Sequence, residues 1–496
     1  MRNGWSWRIF RAMKRLWILG LAVVALLTGA PAPVFADSLP VLTLAECIQR
    51  GLEGSRLLHL QRLQLASASA EVMRAAAPYD PRLQFDGFYQ DSELPPGSFP
   101  TSGGVERGQA TARLLRGFAS GTQLGVELDA QRNYFQGIGG SGDPIWRTAA
   151  GLTLRQELGR NAFGAGERAR TAYIRGRLES LSLQYEQARN EVAARIADRY
   201  WQAVTARQDA TVQEAVSLRL ERLLAVNQKR VEEGLLDASA VLAVEAALAV
   251  AGVQAEVARY RFQSLDDQVK ELADLPVRDW DRYAIEYRLP PPDGIGAPID
   301  FLDAYEHALR YRADLDAWRR EERRVEDLIR WRQADDRPEV SLSGGIGRGD
   351  SGAEWDETLD FDKTVWSIGL FADLSLKRSE TRAAVAEAMI ERERIREDVE
   401  QLERVIALEC RAAVREQATA RRLLMATRRA LDAQTQKLAM ETDRFDRGQS
   451  DIKTVLDYEA DREAAEREWM AAQGAYQRAR VALGLAQGMS VLEMAP

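Results

Sequence analysis

The stretch Arg444-Phe445-Asp446-Arg447-Gly448-Gln449-Ser450-Asp451-Ile452-Lys453-Thr454-Val455-Leu456-Asp457 stands between two runs of helix-forming residues. Upstream, no Gly or Pro occurs in the 72 residues from Leu376 to Arg447, and downstream helix resumes and continues to Leu483. Gly supplies the left-handed conformation that closes a helix, and Ser or Asp then caps the next. The stretch therefore reads as the tip of an αα-hairpin. A second tip lies 214 residues earlier, where Arg230-Val231-Glu232-Glu233-Gly234 aligns with Arg444 to Gly448. Asp237, Val241, Leu242 and Glu245 then align with Asp451, Val455, Leu456 and Glu459. Before it, 57 residues from Arg177 to Glu233 also lack Gly and Pro, with Leu178, Leu181, Tyr185, Ala188, Val192, Ile196, Tyr200 and Val204 at helical steps. Helices of this size reach roughly 85–105 Å at 1.5 Å per residue. Such a shaft packs its faces on neighbouring helices in coiled-coil fashion.

Further upstream the offset between the halves becomes 257, placing Leu52 on Leu309, Leu58 on Leu315 and Pro81 on Pro338. The chain is an internal repeat whose first copy carries 43 extra residues between Pro81 and its long helix. The organisation read from this is a signal peptide at 1–36, a first repeat at 37–275, a linker at 276–298 and a second repeat at 299–496. In the first repeat, strands are expected within about 82–158 and a helical hairpin over about 166–275, with its tip at Gly234. The second repeat is expected to hold strands within about 339–376 and a hairpin over about 377–483, with its tip at Gly448. Pro276, Pro290-Pro291-Pro292 and Pro298 interrupt helix at the join.

Arg2, Arg8, Arg11, Lys14 and Arg15 precede an apolar run from Leu16 to Leu27, and small residues lead to Ala36, the pattern of a cleaved export signal. Its removal takes five basic residues, so 62 Lys+Arg face 75 Asp+Glu and the mature net charge is −13. That balance argues against a nucleic-acid partner. Two His and two Cys leave too few ligands for a Zn, haem or Fe–S centre and remove the usual nucleophile–base pairs. No cofactor, metal site or catalytic residue is assigned, and the chain reads as a non-enzyme. The mature sequence shows no apolar run near 18 residues, so a membrane-inserted form is expected to be a β-barrel.

Alternating segments fit that expectation. Leu83, Phe85, Gly87 and Tyr89 alternate with polar residues after Pro81, and Val340, Leu342, Gly344 and Ile346 do so after Pro338. Trp366, Ile368, Leu370, Ala372 and Leu374 share one face, and Leu152 and Leu154 repeat the pattern. This period suits a half-buried soluble sheet or a transmembrane barrel. Export and the aromatics Tyr79, Tyr89, Trp146, Trp355 and Trp366 near strand ends favour the barrel. Two further alternating stretches, Ala110-Ala112-Leu114 and Leu124-Val126-Leu128-Ala130, read either as an extended extracellular hairpin or as longer barrel strands.

Two copies of strand–strand–long helix–Gly tip–helix behind a signal peptide resemble the TolC family of outer membrane efflux proteins, from about Leu42 to Leu483. Arg444 to Gly448 with Asp451-Ile452 and Val455-Leu456-Asp457 is similar to that family's second tip, and Leu154 to Arg160 resembles its strand-to-helix junction. The fold class implied is mainly α with transmembrane β, a trimeric outer-membrane β-barrel continued by a periplasmic α-helical barrel. The resemblance implies four strands from each of three protomers. It also implies passive conduction in a tripartite efflux or type I secretion system, as a homotrimer in outer membrane lipid. The partners would be a periplasmic adaptor (membrane fusion protein) and an inner-membrane transporter of RND (proton-driven) or ABC (ATP-driven) type. Adaptor docking falls on Glu233, Gly234 and Leu235 and on Arg447, Gly448 and Gln449, where each Gly also serves simply as a helix cap. The pore entrance falls on Asp457 and Thr454, of which Asp457 matches an acidic ring position. Phe445 and Ser450 replace the Tyr and Arg that the resemblance assigns to closing the entrance, so closure here uses different contacts or is less tightly held. The alternative reading is a periplasmic coiled-coil adaptor or interaction protein, against which the duplicated hairpin argues.

Overall fold

The computed structural model describes residues 41–93, 104–135, 143–234, 237–289, 296–447 and 449–491. The export signal read at 1–36 lies outside them. Strand β1 (Val41–Leu42) leads into helices α1 (Leu44–Gly54) and α2 (Arg56–Ala76). Strands β2 (Arg82–Glu93), β3 (Gly104–Gly117), β4 (Thr122–Phe135) and β5 (Ile145–Glu157) follow. Helices α3 (Ala165–Glu232) and α4 (Ala238–Leu272) form the first hairpin. Strand β6 (Ala284–Ile285) pairs in parallel with β1. The second half runs α5 (Phe301–Tyr311), α6 (Ala313–Asp335), β7 (Glu339–Gly352), β8 (Lys363–Asp373), α7 (Ser379–Asp446) and α8 (Ile452–Ala486).

The duplication is visible in element lengths. α3 and α7 both have 68 residues, α4 and α8 both have 35, and α1 and α5 both have 11. Even the caps correspond: Thr43 accepts the Glu46 amide before α1, and Asp300 accepts the Leu302 amide before α5. α3 extends beyond the Gly-free run and passes through Gly176, where Arg324 of α6 packs against the backbone.

The first half departs from the strand–strand unit. The extra residues neither project as a loop nor lengthen existing strands; they form two full strands. One antiparallel sheet runs in the order β2-β3-β4-β5-β7-β8, with β3 and β4 inserted between the strands that match β7 and β8. One face carries Leu83, Phe85, Leu114, Ala112, Val126, Leu128, Leu152, Ile346 and Ile368, aligned across the sheet by the pairing register. The opposite face carries Asp86, Arg113, Glu127, Asp129 and Arg147, with Arg113 paired to both Asp86 (3.3 Å) and Glu127 (3.0 Å). Apolar on one side and polar on the other is the period-two signature of a barrel wall.

Below the sheet the helices lie side by side. α2, α3, α6 and α7 form the upper shaft, and α4, α3, α8 and α7 the lower. An equatorial core joins Cys47 and Ile48 of α1, Ile196, Tyr200 and Trp201 of α3, and Val269 of α4. The linker enters this core through Ile285 and Tyr287, and the Tyr287 hydroxyl donates to Asp266 at 2.7 Å. Burying such side chains stabilises by about 1.5–3 kcal/mol each. Arg312, buried at the α5–α6 junction, is held by Asp314 and by Glu409 of α7.

One expectation about apolar runs is overturned. α4 (Ala238–Leu272) is long and apolar enough, by length and composition, to cross a membrane. Its first half has a single charge, Glu245, but much of its apolar content is small alanine, so no bulky run stands out in the sequence. In the fold α4 packs along α3 through Val244, Ala251, Ala255 and Ala258. Val250, Val253, Val257 and Tyr260 form an exposed seam along it.

Candidate functional site

The lower end of the shaft is built by two capped turns. α3 closes on Glu233, whose amide donates to Lys229 O, and Gly234 follows at φ +69°. A Cβ on Gly234 would meet nothing within 4 Å, so glycine is required there by conformation and not by space. Asp237 caps α4 by accepting the Ser239 amide at 3.0 Å, which holds its carboxyl below the usual value. At the second tip the Gln449 amide donates to Arg444 O at 2.9 Å, and Arg447 pairs with Asp443 at 2.6 Å. Asp451 caps α8 by accepting the Thr454 amide at 2.7 Å, which likewise depresses its carboxyl. Leu235 and Gly448 lie outside the described residues.

Thr454 is half-buried in the first turn of α8, and Asp457 is exposed one turn on, four residues from exposed Lys453. Among the described residues Asp457 forms no ion pair. The two sites are brought together by contacts that sequence reasoning missed. The Arg230 guanidinium sits over the Phe445 ring, 5.4 Å from its centroid, joining the two tips. Further up, Gln213 donates to Glu463 at 2.9 Å inside the α3–α8 interface. Arg219 Nε lies 2.6 Å from Glu459, off the N–H direction, an ion pair and not a hydrogen bond. Ser450 turns inward and donates to Glu441 of its own hairpin. Lys437 lies 2.8 Å from Asp461 and 3.7 Å from the Tyr458 ring centroid, tying α7 to α8.

This lower shaft is polar inside. Gln213 Oε1, Ser217 Oγ, both amide atoms of fully buried Asn227, Gln417 Oε1 and Gln434 Oε1 have no hydrogen-bond partner among the described residues. Orphaned groups of this kind cost about 1–3 kcal/mol each, so the hairpins adhere less firmly here than at the equator. Among the described residues, no group of three His, Cys, Asp or Glu is placed to hold a metal ion.

Residues 304–489 match the family model described as outer membrane efflux protein. The fold matches CusC at TM-score 0.62 and 14% identity, covering 90% of this chain and 92% of that one. It matches the outer membrane protein VceC of Vibrio cholerae at TM-score 0.60 and 16% identity, covering 90% and 96%. The Campylobacter jejuni CmeC outer membrane channel matches at TM-score 0.60 and 14% identity, covering 90% and 85%. No curated protein sequence matches the chain. The family similarity is thus carried by residues 304–489, and the fold is shared along most of the chain. The matched segment begins in α5 and ends just after α8, so it spans the β7–β8 pair and the whole second hairpin, including Asp457 and Phe445. The two strands that the first repeat has beyond the second, β3 and β4, lie outside the matched segment.

Proposed function

We propose that three copies of this chain form an outer-membrane exit duct, passively conducting cargo delivered by an inner-membrane transporter of RND or ABC type through a periplasmic adaptor. The observation that carries this reading is the sheet: apolar on one face, polar on the other, and open at both edges, β2 and β8. Phe85 near one edge and Trp366 near the other are 74% and 73% exposed. A lone chain would leave both edges unpaired in lipid, where each bare backbone group costs several kcal/mol. Closure by further copies removes the edges. β2 and β8 run in opposite directions, so joining one chain's β8 to the next chain's β2 keeps the wall antiparallel throughout.

In this duct the hairpins hang into the periplasm, and their tips, Glu233-Gly234 and Arg447 with Gln449, meet the adaptor. Asp457 and Thr454 face the entrance, with Asp457 contributing to an acidic ring. The Arg230–Phe445 contact and the Gln213–Glu463 and Arg219–Glu459 pairs hold the hairpins together in place of the closing contacts found in relatives. The test is ion conductance across a planar bilayer by protein extracted from the outer-membrane fraction. Stepwise conductance is expected; a protein that inserts without conducting, or never inserts, defeats the proposal.

A further inference from the structure

We infer that the transmembrane wall of this protein has eighteen strands, six from each of three copies, and that the exit is as wide as the helical shaft beneath it. This rests on the trimeric duct proposed above and concerns its width. Three independent observations place β3 and β4 in the wall.

The first is the lipid-side band. Leu114 pairs with Val126, Ala112 with Leu128 and Ala110 with Ala130, so the inserted hairpin continues the apolar face of its neighbours without a polar break. On the other face Gln109 and Thr111 both donate to Asp129, at 2.9 and 2.8 Å, and Arg113 is paired on both sides. The added lumen surface is therefore polar and largely self-neutralised. The second observation is the ladder, since β3 pairs along its length with β2 and β4, and β4 with β5. A hairpin extruded from the wall would instead leave β2 to pair with β5.

The third observation is the anchoring of the β3–β4 turn on the shaft. Arg168 of α3 donates to Ala119 O at 2.7 Å and to Phe163 O, and the Glu157 amide donates to Gly121 O at 3.0 Å. Gly121, at φ +69°, lies so close to Gly164 that a Cβ would stand 2.7 Å from its nitrogen. The turn is fitted to the top of α3 in the manner of a wall strand's periplasmic end.

Width follows from spacing. Strands about 4.8 Å apart and tilted about 40° give a six-stranded sheet an arc of about 38 Å, against about 25 Å for four. The shaft is four helices wide at each level, and at 8–10 Å per helix its arc is about 32–40 Å. The six-stranded arc thus spans the shaft. Three copies then give a backbone diameter of about 36 Å, against about 24 Å for twelve strands, and diameters of this class leave an open aqueous channel. The barrel thus adds no constriction for bulky hydrated cargo, polymers included, and size selection falls to the hairpin tips.

Electron cryo-microscopy of the full-length protein extracted from the outer membrane tests this by counting copies and strands together. The expected particle has three copies and eighteen strands about 36 Å across. Three copies with twelve strands and residues 104–135 outside the wall would overturn this inference and leave the duct standing. Two copies with twelve strands would overturn the inference and the trimer. A particle with no closed barrel would overturn the duct itself.

Discussion

Replacing Phe445 by leucine tests whether the two tips are held together as the structure places them. Leucine keeps an apolar side chain but removes the ring face under Arg230, whose guanidinium lies 5.4 Å from the ring centroid. Both residues are half-buried, so the contact is worth about 0.5–1 kcal/mol per protomer. In a trimer that opens as a unit the loss sums to about 1.5–3 kcal/mol, which shifts the closed-to-open ratio roughly 10- to 150-fold. Single-channel recording in planar bilayers reads this as open probability. Phe445→Leu is expected to raise it by at least about tenfold, whereas Phe445→Tyr, which keeps the ring face, leaves it near the parent value. Equal behaviour of the two variants would refute a tip contact carried by the ring, even if both opened the pore.

Four further outcomes are expected. Asp457→Ala weakens block of the pore by multivalent cations about tenfold, as three carboxylates are lost together; unchanged block in the same recordings removes Asp457 from the entrance. Glu463→Ala strands the buried Gln213 amide and destabilises the chain by about 1–3 kcal/mol. A lowered midpoint of thermal dissociation is expected, and Glu463→Gln should recover most of it. Burial pushes the Cys47 thiol up to about 12, leaving roughly one thiolate in ten thousand or fewer at neutral pH. Maleimide should therefore label Cys47 only after unfolding, and rapid native labelling would contradict the equatorial core. The Asp451 carboxyl is depressed by the Thr454 amide, so its capping contribution is complete above the ordinary value of 3.8 and is lost as pH falls further. Hydrogen-exchange protection in the first turn of α8 should drop below about pH 4, and Asp451→Ala should abolish that pH dependence.

The hairpins were legible because their signals are local. A Gly break, an Asp cap and a long run of helix formers sit within a few residues of one another, and the constant offset of 214 exposes the second copy. The strands β3 and β4 were legible as alternating segments but not as wall strands. Alternation in Ala110-Ala112-Leu114 fixes a face, whereas membership of the wall depends on pairing with β2 and β5, which no local pattern encodes. The resemblance, which implied four strands per protomer, favoured the other readings. Gly176, a residue that weakens helices locally, lies inside α3 where α6 passes close to its backbone. The tip contact was hidden for a related reason. Arg230 and Phe445 are visible as types, but their meeting depends on how two hairpins lie against each other.

Conduction requires closure of an open six-stranded sheet by copies of the same chain. The most direct measurement is the mass of the particle extracted in detergent from the outer-membrane fraction, without cross-linking. A protein mass three times that of the mature chain is predicted. A monomer, or protein recovered only from the soluble periplasm, would contradict barrel closure and leave the helices as a coiled-coil shaft without a pore.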